Sequence, residues 1–252
     1  PFENTLSLFK KAYGKCRLNG EQCRIILSKF MSALKVPVEK IVYSKEPENS
    51  IEYTKKIDKA YSKYARTYDV AVKLLPVWKT WIKTVIPYIE GKRVLEASFG
   101  TGYLLMHYAK NYETYGIDFN ANMVEVAQKN LSRKGIKATL QQANAEKLPF
   151  PENYFDTIVN TMAFTGYPNG KQAMSEFYRV MKDGGKLIIV DFDYPSDRNV
   201  FGYWLTKLME SAGDTIRDIP KILQEFPFEY TEEEIGGFGS VHLYVARKLA
   251  SA

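Results

Sequence analysis

The sequence predicts a doubly wound α/β fold, with a mostly parallel sheet covered by helices on both faces. Three observations predict it. From Lys92 onward, short apolar runs alternate with helix-period segments, the rhythm of strand–helix–strand units. The run ending at Glu96-Ala97 passes into a small-residue turn, Ser98-Phe99-Gly100-Thr101-Gly102, and then into another apolar segment. A strand, tight loop and helix start of this kind is where such sheets hold nucleotide-like ligands. Finally, extended runs at 226–235 and 241–246 flank Gly236-Gly237-Phe238-Gly239 and read as a terminal antiparallel hairpin.

Taken in order, residues 1–45 read as a helical appendage. Phe2, Leu6, Phe9 and Tyr13 recur at helical spacing. Asn19 with Gln22 fits a capping box, and Cys23, Ile26, Leu27, Phe30, Met31 and Leu34 form one stripe that Val36-Pro37 stops. Residues 44–51 are polar and turn-prone, a linker. The expected division is therefore a helical extension, 1–50, and an α/β domain, 51–252. Ile57, Tyr61, Tyr64 and Tyr68 share one helical face. A further helix starts near Pro76, with Trp78, Trp81, Ile82, Val85 and Ile89 inward and Gly91 as its stop. Strands are expected near 93–97, 113–118, 137–142, 155–160 and 186–192. Helices fall near 102–110, 121–134, 171–181, 200–212 and 217–225. With the hairpin, that makes a seven-stranded sheet.

The 252 residues are 45% hydrophobic and 25% charged, enough for one sizeable core and against wholesale disorder. No apolar run approaches the roughly 20 residues that span a membrane, and no signal-peptide pattern opens the chain. Cys16 and Cys23 lie two helical turns apart, about 10 Å on a straight helix and too far for a disulfide; a reduced, cytoplasmic protein is expected. Net charge is +6, and residues 1–60 hold twelve Lys/Arg against seven Asp/Glu. A solvated basic face is the plain reading; contact of basic amphipathic helices with a membrane surface is the other. No metal-ligand spacing and no nucleic-acid-binding tract is evident, and the oligomeric state is left open.

The loop after the first strand selects the ligand class. Gly100 and Gly102 match the start of a dinucleotide fingerprint, but its third glycine would be Leu105, and Glu96 has no place in it. Glycines let backbone approach a ligand closely, and a carboxylate faces cationic groups favourably. Asp118, ending the run Tyr115-Gly116-Ile117-Asp118, is placed to accept ribose hydroxyls; Asn120 can cap the following helix.

Together these stretches resemble the class I S-adenosylmethionine-dependent methyltransferases, whose sheet is Rossmann-like. Glu96-Ala97-Ser98-Phe99-Gly100-Thr101-Gly102 resembles their acidic-x-Gly-x-Gly-x-Gly loop, with Ser98 at the first glycine, tolerable there if its φ is negative. Asp118-Phe119-Asn120-Ala121-Asn122-Met123 resembles their acidic–x–Ser–x–x–Met stretch. Asn144-Ala145-Glu146-Lys147-Leu148-Pro149-Phe150 resembles the adenine-reading Asp-Ala-Glu-x-Leu-Pro-Phe segment, with Asn144 for Asp. Phe155-Asp156-Thr157-Ile158-Val159-Asn160 and Glu176 to Leu187 resemble the fourth strand and the approach to the fifth. The resemblance implies a cofactor, S-adenosyl-L-methionine, with Tyr68, Glu96, Ala97, Ser98, Gly100, Gly102, Asp118, Phe119, Met123, Asn144, Ala145, Glu146 and Asn160 on it. The tyrosines of Tyr61–Asp69 resemble those of the small-molecule group that includes quinone C-methylating and phospholipid N-methylating enzymes.

The expected activity is methyl transfer to a small, hydrophobic acceptor. Asn160-Thr161-Met162-Ala163-Phe164 lacks the Asn/Asp-Pro-Pro-aromatic motif of the base-methylating branch, which argues against nucleic acid, and Met162, Phe164 and Tyr167 suit an apolar acceptor. Tyr64, Tyr167 and His242 are the acceptor-side residues, His242 as a base. Asp191 and Asp193 end the fifth strand, for acceptor contact or for pairing elsewhere. Asp214 and Asp218 flank Ile216-Arg217 and read as a local ion pair. Two alternatives stay open: a phospholipid N-methyltransferase at the membrane surface, and a non-catalytic cofactor- or partner-binding protein.

Overall fold

The computed structural model describes residues 35–49, 52, 53, 55 and 76–250. The expected helices of 1–34, both cysteines and the Tyr61–Asp69 face lie outside the described residues.

The sheet has seven strands: β1 (Arg93–Ala97), β2 (Glu113–Asp118), β3 (Thr139–Gln142), β4 (Phe155–Thr161), β5 (Met181–Phe192), β6 (Phe228–Gly236) and β7 (Val241–Lys248). Their spatial order is β3-β2-β1-β4-β5-β7-β6. The first five are parallel, and β7 runs antiparallel between β5 and β6. The chain leaves β1 on one side to build β2 and β3, then returns to β1's other flank with β4. That reversal makes the β1/β4 boundary the topological switch point, where the carboxyl ends of strands leave a crevice.

The helices are α1 (Pro76–Lys83), α2 (Leu105–Tyr108), α3 (Ala121–Ser132), α4 (Gly170–Val180), α5 (Val200–Ala212) and α6 (Ile219–Gln224). Four begin on side-chain caps: Asn120, Asn169, Asn199 and Asp218 each accept from a backbone N–H in the first turn. Asn120 thus caps as its position predicts. Two elements depart from the expected bounds: α1 ends at Lys83, and a separate 3-10 turn at Ile86–Tyr88 carries the chain to Gly91, while β5 starts early. Its pairing with β4 begins at Met181, shifts register between Phe155 and Thr157, and resumes at Lys186. Lys182–Gly185 forms an irregularity inside one strand, not a turn before it.

Both faces of the sheet are buried. Val94 and Val159 pack with Leu105, Tyr108, Ala127 and Leu131 on one side. Leu95 and Ile158 pack with Met174, Phe177 and Val180 on the other. Each fully buried side chain of this kind contributes about 1.5–3 kcal/mol. Val85 and Ile89 are inward, as the periodicity after Pro76 predicts.

Residues 35–49 lie along the domain. Val36 is buried, and its N–H donates to the Arg198 carbonyl at 2.8 Å. Ser44 N–H donates to the Ile216 carbonyl at 2.8 Å and Ser44 Oγ to Glu210 at 2.6 Å. Glu46 closes a 2.6 Å ion pair with Arg217. Ser44 and Glu46, read as linker from their polarity, are anchoring residues. Among the described residues, no helix is long and apolar enough to cross a membrane.

Candidate active site

The carboxyl ends of β1, β2 and β4 open into a cleft of about 1240 Å³, counting its open mouth. Glu96, Ser98, Phe99, Gly100, Asp118, Phe119, Met123, Asn144 and Ala145 line it on the side of β1–β3. Thr161, Met162, Ala163, Gly166, Tyr167, Pro168 and Asp214 line the β4 side, and Trp78 and Ile82 reach in from α1.

The backbone is strained on both sides of the switch point. Ser98, following β1, has φ +61°, and Met162, following β4, has φ +52°. The condition under which serine is readily tolerated there, a negative φ, is not met: a serine occupies left-handed backbone that favours glycine, at a cost of about 1–2 kcal/mol. Its hydroxyl offsets part of that through a 2.9 Å hydrogen bond with Tyr167 Oη. The two glycines of the loop divide their work. At Gly100 (φ +55°) an added Cβ would meet nothing within 4 Å, so open cleft lies before its backbone. At Gly102 (φ +73°) it would press on Leu131 at 2.9 Å and Ala127 at 3.0 Å, so this glycine serves helix packing and does not line the cleft.

Two carboxylates stand on adjacent strand ends. Asp118 accepts from Gly100 N–H at 2.8 Å and Asn120 N–H at 2.9 Å, which fixes its plane beside the loop. Glu96 is almost wholly buried, and Tyr108 Oη donates to it at 2.8 Å. Burial pushes the Glu96 carboxyl up to about 8, against the lowering effect of the Tyr108 bond and with Asp118 adding to the rise.

Asn144 uses Oδ1 within its own turn, accepting from Glu146 N–H at 2.9 Å. That leaves its NH₂ as the group for a ligand. Tyr167 Oη also accepts from Asn160 Nδ2 at 2.8 Å. Burial holds the Tyr167 phenol far above its ordinary range, so at neutral pH it is a donor, not a base. Asn160 lies under the cleft; its Nδ2 also donates to the Ala97 carbonyl at 3.0 Å, and its buried Oδ1 has no hydrogen-bond partner among the described residues.

The cleft therefore brings together Glu96, Ser98, Gly100, Asp118, Phe119, Met123, Asn144, Ala145 and Tyr167 of the expected residues. Ala97 and Asn160 sit behind that wall, and the Glu146 side chain turns away to accept from Asn169 N–H at 2.7 Å. Tyr64 and Tyr68 lie outside the described residues. Phe164, expected on the acceptor side, is core.

His242 is not in the cleft. It pairs with Asp191 across the β5–β7 ladder, with Nδ1 2.6 Å from Glu232 and Nε2 2.8 Å from the Gly239 carbonyl. Both partners are acceptors, so both nitrogens donate, which suits the imidazolium and removes the free base lone pair the expected role needs. Burial pulls its pKa down, but the bond to Glu232 and the charges of Asp193, Glu232 and Glu234 outweigh that and raise it. Asp191 accepts from Thr165, and Asp193 from Tyr244 Oη at 2.7 Å, both buried away from the cleft. The ion pair expected within 214–218 does not form: Arg217 turns to Glu46 and to the carbonyls of Phe164, Tyr167 and Thr215, while Asp218 caps α6. That leaves Asp214 on the cleft wall. Trp78 and Ile82 were legible only as core positions of a helix, since nothing local marks which core faces a ligand.

Two strand-end carboxylates, a glycine with open space before it and an amide just after the third strand suit a cationic ligand with a ribose diol and a base. The fold is that of the S-adenosylmethionine-dependent methyltransferases, and residues 95–189 match the family model described as a methyltransferase domain. The chain is 29% identical over 179 residues to the ubiquinone/menaquinone biosynthesis C-methyltransferase UbiE of Neisseria meningitidis serogroup A, over 67% of this chain and 73% of that protein. Among solved structures, the YcgJ protein of Bacillus subtilis superposes with a TM-score of 0.56 at 20% identity, over 69% of this chain and 99% of that one. The [4+2]-cyclase SpnF does so at 0.57 and 16%, over 90% and 93%. At those identities the likeness is one of fold. The chain is a methyltransferase that uses S-adenosylmethionine.

Proposed function

We propose that this enzyme methylates a carbon of a small, largely apolar acceptor that carries a ring hydroxyl, with reduced quinones as the class to test. The carrying observation is the division of one cleft: two carboxylates and backbone amides on the β1–β3 side, and Met162, Ala163 and Tyr167 with Trp78 toward β4, where Asp214 also stands. The relatives' quinone chemistry supports the same acceptor class.

In this reading Asp118 takes the ribose hydroxyls, since a carboxylate offers about four acceptor positions. Glu96 faces the amino group, Gly100 lets the backbone come close, and Ser98 adds a hydroxyl beside it. Asn144 NH₂ and Ala145 N–H address the base edge, with Phe119 and Met123 against its faces. Ala97, Gly102, Glu146 and Asn160 act through these residues by holding them. Tyr64 and Tyr68 are assigned to the same ligand by resemblance alone. Bound there, S-adenosylmethionine supplies an electrophilic methyl on a sulfonium. The chain's own contribution is alignment and exclusion of water. For an acceptor that partitions into lipid, the basic residues of 1–60 would hold a cytoplasmic enzyme near an anionic surface.

Calorimetry with S-adenosylmethionine and S-adenosylhomocysteine tests the cofactor half, with micromolar binding expected and loss on Asp118→Ala. Methyl-labelled cofactor with a panel of reduced quinones tests the acceptor half. Binding unaffected by Asp118→Ala, or label appearing only on nitrogen or phospholipid, would overturn the assignment.

A further inference from the structure

Among the described residues, Asp214 is the one carboxylate that lines the cleft on the β4 side. Its backbone is fixed from both directions. Gly213 ends α5 with φ +121°, Asp214 N–H donates to the Met209 carbonyl at 3.1 Å, and Thr215 N–H donates to the Thr165 carbonyl at 2.8 Å. The last bond ties this stretch to the loop after β4, beside Met162 and Ala163. The side chain itself makes no hydrogen bond or ion pair among the described residues. Arg217, three residues on, would be the natural partner but is spent on Glu46 and three carbonyls. A half-buried carboxylate held rigidly in a wall whose other lining groups are uncharged, with its local cation diverted, is a group kept for a ligand.

We propose that Asp214 accepts the proton of the acceptor's hydroxyl. This rests on the methyl-transfer reading above. In the step, the acceptor O–H bond breaks with its electron pair left on oxygen. An O–H bond forms at Asp214 Oδ, and the proton then passes to solvent through the cleft mouth. The oxyanion feeds electron density to the ring carbon that is methylated. Asp214 serves the acceptor and not the cofactor by position: the loop and strand ends assigned to the cofactor belong to β1–β3, across the switch point.

The charged and titratable groups facing Asp214 set its range. Burial raises its pKa most, Asp191 adds to the rise and Arg217 opposes it, leaving it at about 7. Tyr53 stands close by, its hydroxyl bonded to the Gly213 carbonyl at 2.8 Å. Tyr167 shares its wall, and Glu96, Asp118 and Tyr103 line the rest of the cleft. A base near 7 matches proton acceptance at neutral pH.

The test is a titration of 1-naphthol, an apolar ring with one hydroxyl, into the full chain saturated with S-adenosylhomocysteine, between pH 5.5 and 8.5. Wild type should bind about tenfold tighter at the upper end, as Asp214 ionises. Asp214→Asn should give a flat profile with cofactor affinity within about twofold of wild type, and Asp214→Glu should restore the slope. In methyl transfer to 2-prenyl-1,4-naphthohydroquinone, Asp214→Asn should lose about 100-fold in kcat and the limb of the pH profile near 7. A flat wild-type profile, or equal slopes in wild type and Asp214→Asn, would overturn the proposal. So would a tenfold loss of S-adenosylmethionine affinity in Asp214→Asn, which moves the carboxylate to the cofactor. Failure of the underlying reading registers separately, as no heat with S-adenosylhomocysteine.

Discussion

Tyr108 donates its hydroxyl proton to Glu96 across 2.8 Å, and both residues are shut away from bulk solvent. The strand-end acid of the cofactor loop is thus held from inside the fold. With its carboxyl pushed up to about 8, Glu96 is mostly protonated in the free enzyme at pH 7.

A cationic ligand favours the ionised form, so binding S-adenosylmethionine below pH 8 should release a proton from Glu96. Affinity should rise between pH 6 and 8 and level off above. Calorimetry in two buffers of different ionisation heat should show the release, and Glu96→Gln should abolish the part due to this side chain. Tyr108→Phe leaves the carboxyl without its donor and should cost about 1–3 kcal/mol in stability.

Ser98 separates strain from hydrogen bonding. Ser98→Ala loses the Tyr167 bond and keeps the left-handed backbone, so urea unfolding should show a loss of about 0.5–1.5 kcal/mol. Ser98→Gly loses the same bond but relaxes the backbone, and should be more stable than Ser98→Ala by about 1 kcal/mol.

His242 should act on stability and not on chemistry. Its folded pKa is raised, so its stabilising pairing is fully present below the unfolded value and fades as pH rises through the folded one. Glu232→Gln should lower Tm more at pH 6 than at pH 9, with methyl transfer at a fixed neutral pH within about twofold of wild type.

Arg217 is buried and spans from Glu46 to the loop after β4. Arg217→Met strands Glu46 and three carbonyls. Limited proteolysis should then cut within residues 40–50, where wild type resists. Breaking a buried pair of this kind costs about 3–5 kcal/mol, discounted here because Glu46 is partly exposed.

Much of this was legible in the sequence because it is local. The strands at 93–97 and 113–118, the Asn120 cap and the carboxylates at two strand ends follow from periodicity and turn chemistry within a dozen residues. The antiparallel hairpin followed from Gly236-Gly237-Phe238-Gly239. What was not legible depends on partners far apart in the chain. Glu46 and Arg217 are 171 positions apart, and their pairing both anchors the polar stretch at 44–46 and frees Asp214. His242 looked available because Glu232 faces it only once β6 folds back on β7. The left-handed Ser98 was marked only by its place at a glycine position of the loop, since serine itself does not fix the sign of φ.

The outermost strand of the sheet carries a last consequence. β6 runs for nine residues, with Glu229, Glu232, Glu233 and Glu234 on it. Such an edge offers unpaired backbone to any passing strand. A second copy approaching edge to edge would bring Glu229 and Glu233 against their own copies, which disfavours growth of the sheet from this edge. The safeguard resides in side chains and not in the fold: with Glu229 and Glu233 replaced by valine, self-association through this edge should appear in sedimentation while the sheet stays folded.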